Sequence, residues 1–359
     1  MTEPVRFARA GDLVLFGGGR GGAAAQTAAI LAGLAAQGGV AEDLCLLRVF
    51  YRPDQITEAE LHEDIATALA GRARPALTLV PVPLPEPGGG AVCIEAAAVT
   101  TGYPRLLPMP GEPAFSAGLR KGQYLFASAV RAGQAAGLVA ESHAVMEGLR
   151  HVLDGLGAGF GDVVKMNRWY HAAGTKDDWE PSARAVAQRY VEPGPVATAI
   201  SLGAPLAGGR AIQIEVMAML AEDGTTLPKR HSWPAGHWDW PIHLPYRHGL
   251  ECGGLAFVGG QVSLDGKAEV IDPDDLARQV SRSLANIDLV LAGFEGRARL
   301  LHHGIYYEIP PGGIAGSHTG AQALRQLAAG GVPAVLVGFP YLSYPQMRVE
   351  IEAIAEIAP

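Results

Sequence analysis

At 359 residues the chain is too long for one ordinary compact core, and a prior of roughly 150 residues per domain points to two or three. Its 48% hydrophobic content excludes a disordered chain, and its formal charge of −8 speaks against nucleic acid as a partner, because phosphate binding needs clustered Lys and Arg. No run approaches 18 apolar residues and the N-terminal segment lacks a charged-then-apolar signal pattern, so no membrane span or leader is expected. Three scattered cysteines, Cys45, Cys93 and Cys252, point to reduced thiols and a cytoplasmic chain, with neither a disulfide framework nor a zinc site.

In chain order, a short apolar strand at Leu13–Gly18 precedes an Ala-rich helical pattern marked by Ile30, Leu31 and Leu34. A strand over Leu44–Tyr51, a helix over Glu58–Leu69 and a last strand over Ala91–Ala97 follow. The same succession then recurs. Tyr124–Ser128 leads to a stripe of Val145, Leu149, Val152 and Leu156, then to a strand over Val163–Tyr170, a helix over Pro181–Tyr190 and a last strand over Ala211–Met219. In the third copy, Leu255–Gln261 is followed by Leu276, Val280, Leu284, Ile287 and Leu291, which form one apolar stripe on a helix. Ala298–Tyr307, Gly320–Ala329 and Met347–Ile354 complete it. The last strands read VCIEAAA, IQIEVMA and VEIEAIA, which makes Glu95, Glu215 and Glu352 one repeated position.

Each copy therefore reads as β-β-α-β-α-β-β, and the fold class as α+β. The boundaries are residues 1–102, 103–225 and 241–359, with an aromatic linker at 226–240. Such a unit has helices on one sheet face only, so its other face must be buried elsewhere. Three copies packed sheet to sheet inside one chain, an intramolecular pseudo-trimer, satisfy that need. Whether this is monomeric or dimerises further is left open.

The segments Leu244-Pro245-Tyr246-Arg247-His248-Gly249, Phe257-Val258-Gly259-Gly260-Gln261 and Val349–Ala355 resemble the Rid family (reactive intermediate deaminase, YjgF/UK114, also labelled endoribonuclease L-PSP-like). Gly161-Asp162-Val163-Val164-Lys165 is similar to the family's strand after the first helix. The third copy matches end to end, the second well, and the first only as a degenerate version. The resemblance implies a chorismate-mutase-like fold, trimers, small-molecule sites in the clefts between neighbouring subunits, and hydrolysis of enamines and imines with release of ammonia. It also exposes departures. The family arginine that pairs with a substrate carboxylate falls on Leu77, Ala197 and Val335, all aliphatic. The family's water-positioning Glu falls on Cys93, Gln213 and Glu350, and its substrate-contacting Tyr on Phe115 and Tyr246.

The resulting expectation is a small-molecule enzyme acting on a reactive C=N metabolite, with Glu350 and Tyr246 catalytic. Strand alternation puts Glu350 and Glu352 on one face and Val349 and Ile351 on the other. A carboxylate there would polarise a water, and Tyr246 would orient the substrate. Backbone donors at Gly259 and Gly260, with Gln261, His248, Phe115 and Arg168, complete the expected substrate contacts; Arg168 or Arg247 would replace the missing clamp. Glu95, Glu215 and Glu352, shared by all copies, read as structural. Trp233, Trp238 and Trp240 read as pinning the linker or forming a lid. Of His302 and His303, alternation lets at most one face a cleft.

No cofactor and no metal are expected. His231, His237, His243 and His248 lack ligand spacing, and in Gly17–Gly22, which satisfies G-x-G-x-x-G, the acidic residues Glu42 and Asp43 precede the second strand instead of ending it. Two other readings stay open: a diverged hydrolase or lyase on the same scaffold, acting on a substrate without a free carboxylate, and a non-catalytic metabolite-binding module.

Overall fold

A computed structural model describes residues 5–85, 90–131, 137–172, 176–310 and 319–358, with the backbone alone at 176–178. The first stretch of chain forms β1 (Arg6–Ala10), β2 (Leu13–Gly17), α1 (Ala23–Ala36), β3 (Leu44–Tyr51), α2 (Glu58–Leu69), β4 (Ala76–Pro81) and β5 (Val92–Val99). It continues with β6 (Arg105–Pro108), β7 (Ser116–Lys121), β8 (Tyr124–Arg131), α3 (Leu138–Gly155), β9 (Val163–Tyr170), α4 (Lys176–Ala187), β10 (Val196–Ser201) and β11 (Ile212–Met219). The remainder forms β12 (Lys229–Ser232), β13 (Gly249–Cys252), β14 (Leu255–Gln261), α5 (Leu276–Leu291), β15 (Arg297–Glu308), α6 (Thr319–Ala329), β16 (Ala334–Phe339) and β17 (Val349–Ala358).

The strands lie in the orders β1-β2-β5-β3-β4, β7-β8-β11-β9-β10 and β13-β14-β17-β15-β16, with β6 and β12 added outside β7 and β13. In each order the last strand inserts antiparallel between the second and the third, while the third and fourth run parallel across a helical crossover. A single parallel contact, Ala76 with Ser116, joins β4 to β7 and merges the first two orders into one sheet.

The helices follow from stripe and cap. Along α5, Val280, Ile287, Val290 and Leu291 are buried, and the Asp275 side chain accepts the Arg278 N–H at 3.0 Å. α2 starts at a Thr57–Glu60 capping box and buries Leu61, Ile65 and Leu69. α4 departs from its expected start: it begins at Lys176 and carries Pro181 inside it.

The sheet faces turned away from the helices bury one another. Leu15 and Ala97, Phe126 and Met217, and Phe257 and Ile354 share one apolar cluster. Phe50 of β3, Trp169 of β9 and Tyr306 of β15 form a second, with ring centroids 5.5 to 6.3 Å apart and tilted or edge-on. A polar layer lies beside them, and it governs the electrostatics of the site.

Candidate active site

The site forms where β10 meets β14. A Cβ on Gly259 would lie 2.7 Å from the Ala197 carbonyl oxygen, so only glycine lets these backbones come so close. A Cβ on Gly260 would lie 2.6 Å from Glu350 Cδ and nearer still to Oε1. One glycine thus joins the strands and the next makes room for a carboxyl group. Gly260→Ala is expected to lower stability by about 1–3 kcal/mol through overpacking and to turn the Glu350 side chain aside. A urea unfolding curve and a crystal structure of the variant would check both effects.

Against this carboxyl lies a cavity of about 70 Å³ with mostly apolar walls. Arg168 of β9, Tyr246, Gly260 and Glu350 line it together. Glu350 is 7% exposed and has no ion pair among the described residues. Burial pushes its carboxyl up to about 8, the Glu352 carboxylate adds to the push, and the Ala199 backbone N–H, Lys165 and Arg168 offset part of it. The group is therefore largely protonated at neutral pH. Arg168 is 3% exposed, its guanidinium carbon sits 4.5 Å from the Tyr170 ring centre, and its Nε has no hydrogen-bond partner among the described residues. Tyr246 is buried against Tyr190 and Trp240, and burial raises its phenol.

The other expected contacts take other places. The Gly259 N–H already donates to the His248 carbonyl oxygen at 3.0 Å, so it is not available to a developing charge. Gln261 and His248 stay outside the cavity lining and hold the aromatic linker. His237 Nε2 donates to Gln261 Oε1 at 2.9 Å, Gln261 Nε2 to His248 Nδ1 at 3.4 Å, and His248 Nε2 to the Trp238 carbonyl at 2.9 Å. Trp240 stacks on the His248 ring at 4.9 Å, and burial presses that imidazole down to about 3, so it stays neutral. Trp238 and Trp240 then form one wall of the cavity. Arg247 pairs with Glu192 at 2.8 Å and lies over Trp233. Phe115 belongs to the core under α1 and α2, beside the His62 ring, and does not meet Glu350.

Tyr344, Ser343 and Trp179 also line the cavity, and the sequence did not single them out. Tyr344 Oη is buried without a hydrogen-bond partner among the described residues, the Trp179 ring meets it edge-on at 5.6 Å, and Trp179 Nε1 donates to the Ser343 carbonyl at 3.1 Å. They sit on an aperiodic loop and near a helix start, where spacing carries no signal.

The positions matching Glu350 elsewhere are differently occupied. Gln213 accepts from Arg131 Nε at 2.7 Å, and that arginine forks onto Glu58 at 2.7 and 2.8 Å, so the chain's own ion pair fills the place. Beside Cys93, the Gln26 amide clamps β5 at Val92 and Ile94.

Behind Glu350 lies the polar layer. Glu95, Glu215 and Glu352 converge around a second cavity of about 60 Å³. Arg48 pairs with Glu95 and Glu215 and lies 3.7 Å from Glu352. Glu352 also accepts from Lys165 at 2.5 Å, Asn167 at 2.9 Å and Tyr306 at 3.1 Å. Burial opposes its ionisation, but Lys165 and Arg48 outweigh burial and bring it to about 2. His302 Nε2 is 3.2 Å from Glu95, and burial holds it neutral, down to about 3. The repeated glutamates thus meet in ion pairs between distant strands.

Chemically, the seam cavity offers one protonated acid and one guanidinium without an ion pair among the described residues, between aromatic walls. No protein-family model and no curated protein match the chain. Among solved structures, a chorismatase aligns at TM-score 0.59 and 14% identity, over 88% of this chain and 93% of its own. A member of the YjgF/YER057c/UK114 family from Mycobacterium tuberculosis aligns at TM-score 0.30 and 18% identity, over 33% of this chain and 100% of its own. A YjgF-family protein from Neisseria meningitidis aligns at 0.28 and 15%, over 33% and 96%. No described helix is long and apolar enough to cross a membrane. By these comparisons the chain has a mixed α+β fold similar to that of a chorismatase.

Proposed function

We propose that the chain is a tandem array of three Rid-like units closed into an intramolecular pseudo-trimer, and that its Glu350 seam is the active site of a small-molecule hydrolase. The substrate class is a small unsaturated carboxylate, an enamine or imine first. The observation that carries this is the pairing, in one cavity, of a buried carboxyl and a buried guanidinium that both lack an ion pair among the described residues. Arg168, reaching in from β9, takes over the anion-holding role of the missing family arginine. That favours a substrate with a carboxylate over one without.

For an enamine, the Glu350 carboxyl gives its proton to the β-carbon, and the nitrogen lone pair closes to an iminium. The carboxylate so formed takes a proton from the water that adds to the iminium carbon. The Glu350 carboxyl then protonates the amino group, and the C–N bond breaks as the hydroxyl proton returns to the Glu350 carboxylate, leaving a carbonyl compound and ammonia. Tyr246 and the Trp238–Trp240 wall hold the flat substrate in place and exclude bulk water. The solved protein of similar fold is named a chorismatase. An enol ether, which needs the same carbon protonation, therefore joins the assay.

The test is a panel of enamine, imine and enol-ether carboxylates and their methyl esters. Acids are expected to turn over and esters not. Arg168→Met is expected to raise KM about ten- to a hundredfold, the size of a lost charge-assisted contact. An unchanged KM, or ligand binding by thermal shift without any turnover, would overturn the reading, the latter in favour of a binding module.

A further inference from the structure

Two carboxyl groups lie two residues apart on the same face of β17, about 6.6 Å from each other along the strand, in opposite surroundings. Glu352 is saturated: Lys165, Asn167 and Tyr306 all donate to it, and Arg48 stands 3.7 Å away. Glu350 faces the seam cavity with no ion pair among the described residues. We infer that Glu352 is a positioning residue for Glu350: its fixed negative charge, locked in place by Lys165, keeps the proton on the carboxyl that faces the cavity. This rests on the reading of Glu350 as the acid, and it adds how the acid is kept charged with a proton at neutral pH.

The physical basis is the divergence of two neighbouring acids. Ionising both would place two like charges close together inside the protein, so the better-solvated one ionises and the other holds its proton. Glu352 wins that competition because its donors come from β9 and β15 and cannot turn toward Glu350 without leaving it. The charged and titratable groups around Glu350 are Arg168, Lys165 and Tyr170 on β9, Tyr306 opposite it on β15, Tyr344 in the loop between β16 and β17, Tyr246 across the cavity and Glu352 itself. The two cations pull toward ionisation, so burial and Glu352 must together exceed them.

The experiment follows the Glu350 carboxyl carbon by NMR titration of 13C-glutamate-labelled protein, assigned by its loss in Glu350→Gln. Glu352→Gln is expected to move the Glu350 midpoint down by at least about one pH unit, as for strongly interacting sites. Glu215→Gln, which alters the same polar layer without touching Glu352, is expected to leave it in place. Should Glu352→Gln fail to fold with Lys165 unpaired, the double variant Glu352→Gln/Lys165→Met removes the pair together. Its midpoint is still expected to fall, because Glu352 acts on Glu350 more strongly than Lys165 does. An unmoved midpoint, or an equal fall in Glu215→Gln, overturns the inference. The readout is the carboxyl signal and not turnover: loss of activity in Glu350→Gln with no displacement in Glu352→Gln would sink this inference alone.

Discussion

Glu350→Gln is expected to lower kcat on any accepted substrate by about two to four orders of magnitude, the range of a lost general acid. The amide fills the same space against Gly260 and carries no proton that it can deliver. Folding is expected to survive, because the buried carboxyl is already largely neutral at pH 7. The pH dependence checks the assignment independently. With Glu350 pushed up to about 8, the active protonated form disappears as pH rises through that value, and kcat/KM is expected to fall there in the native enzyme. Stability carries the same signature. The folded value lies above the ordinary 4.5, so the contribution of this group is complete below 4.5 and is lost as pH rises through about 8. The Gln variant should lack that loss. Urea midpoints measured from pH 5 to 9 would show it, and parallel curves for the two proteins would contradict the buried-acid assignment.

Arg48→Met is expected to destabilise the fold by about 3–5 kcal/mol, the cost of breaking a buried ion pair from one side. Arg48 is the cation shared by Glu95 and Glu215, which come from different strand sets, and its loss leaves both carboxylates buried, while Lys165, which lines the same cavity, stays paired with Glu352. Chemical denaturation reads the loss directly. Adding Glu215→Gln to the variant should recover part of it, since a neutral amide no longer needs the missing charge. Acidification should also narrow the deficit as the stranded carboxylates take up protons. A loss under 1 kcal/mol would mean that the polar layer is solvated and does not hold the strand sets together.

Much of the architecture was readable from periodicity, for a physical reason. α2 at Glu58–Leu69 and α5 at Leu276–Leu291 fall at their expected bounds because each buries one face, and burial imposes a period of 3.6 on the residues, while β3 at Leu44–Tyr51 and β9 at Val163–Tyr170 also fall at theirs although both of their faces are buried. α4 was misplaced because proline is a usual first helical residue, while here the helix begins before Pro181. The repeated Glu95, Glu215 and Glu352 were legible as one position, but not that Arg48, Lys165 and His302 reach across to them, since those partners lie on separate strands.

For the site, residue type and alternation alone placed Glu350 on the same strand face as Glu352, whereas the glycine pair at Gly259 and Gly260 was read as backbone donors and proved to be a close approach. Which groups share a cavity was decided only by folding. Tertiary packing left Arg168 without an ion pair among the described residues while giving Arg247 to Glu192, spent the Gly259 N–H on a backbone carbonyl, and turned Gln261 and His248 into supports for the tryptophan wall. It also brought in Tyr344 and Trp179 from loop and helix start. The division follows from range: local order is set within one short segment, whereas ionisation and hydrogen-bond supply at a seam depend on neighbours from other elements, from His248 beside Trp238 to Lys165 beside Glu352.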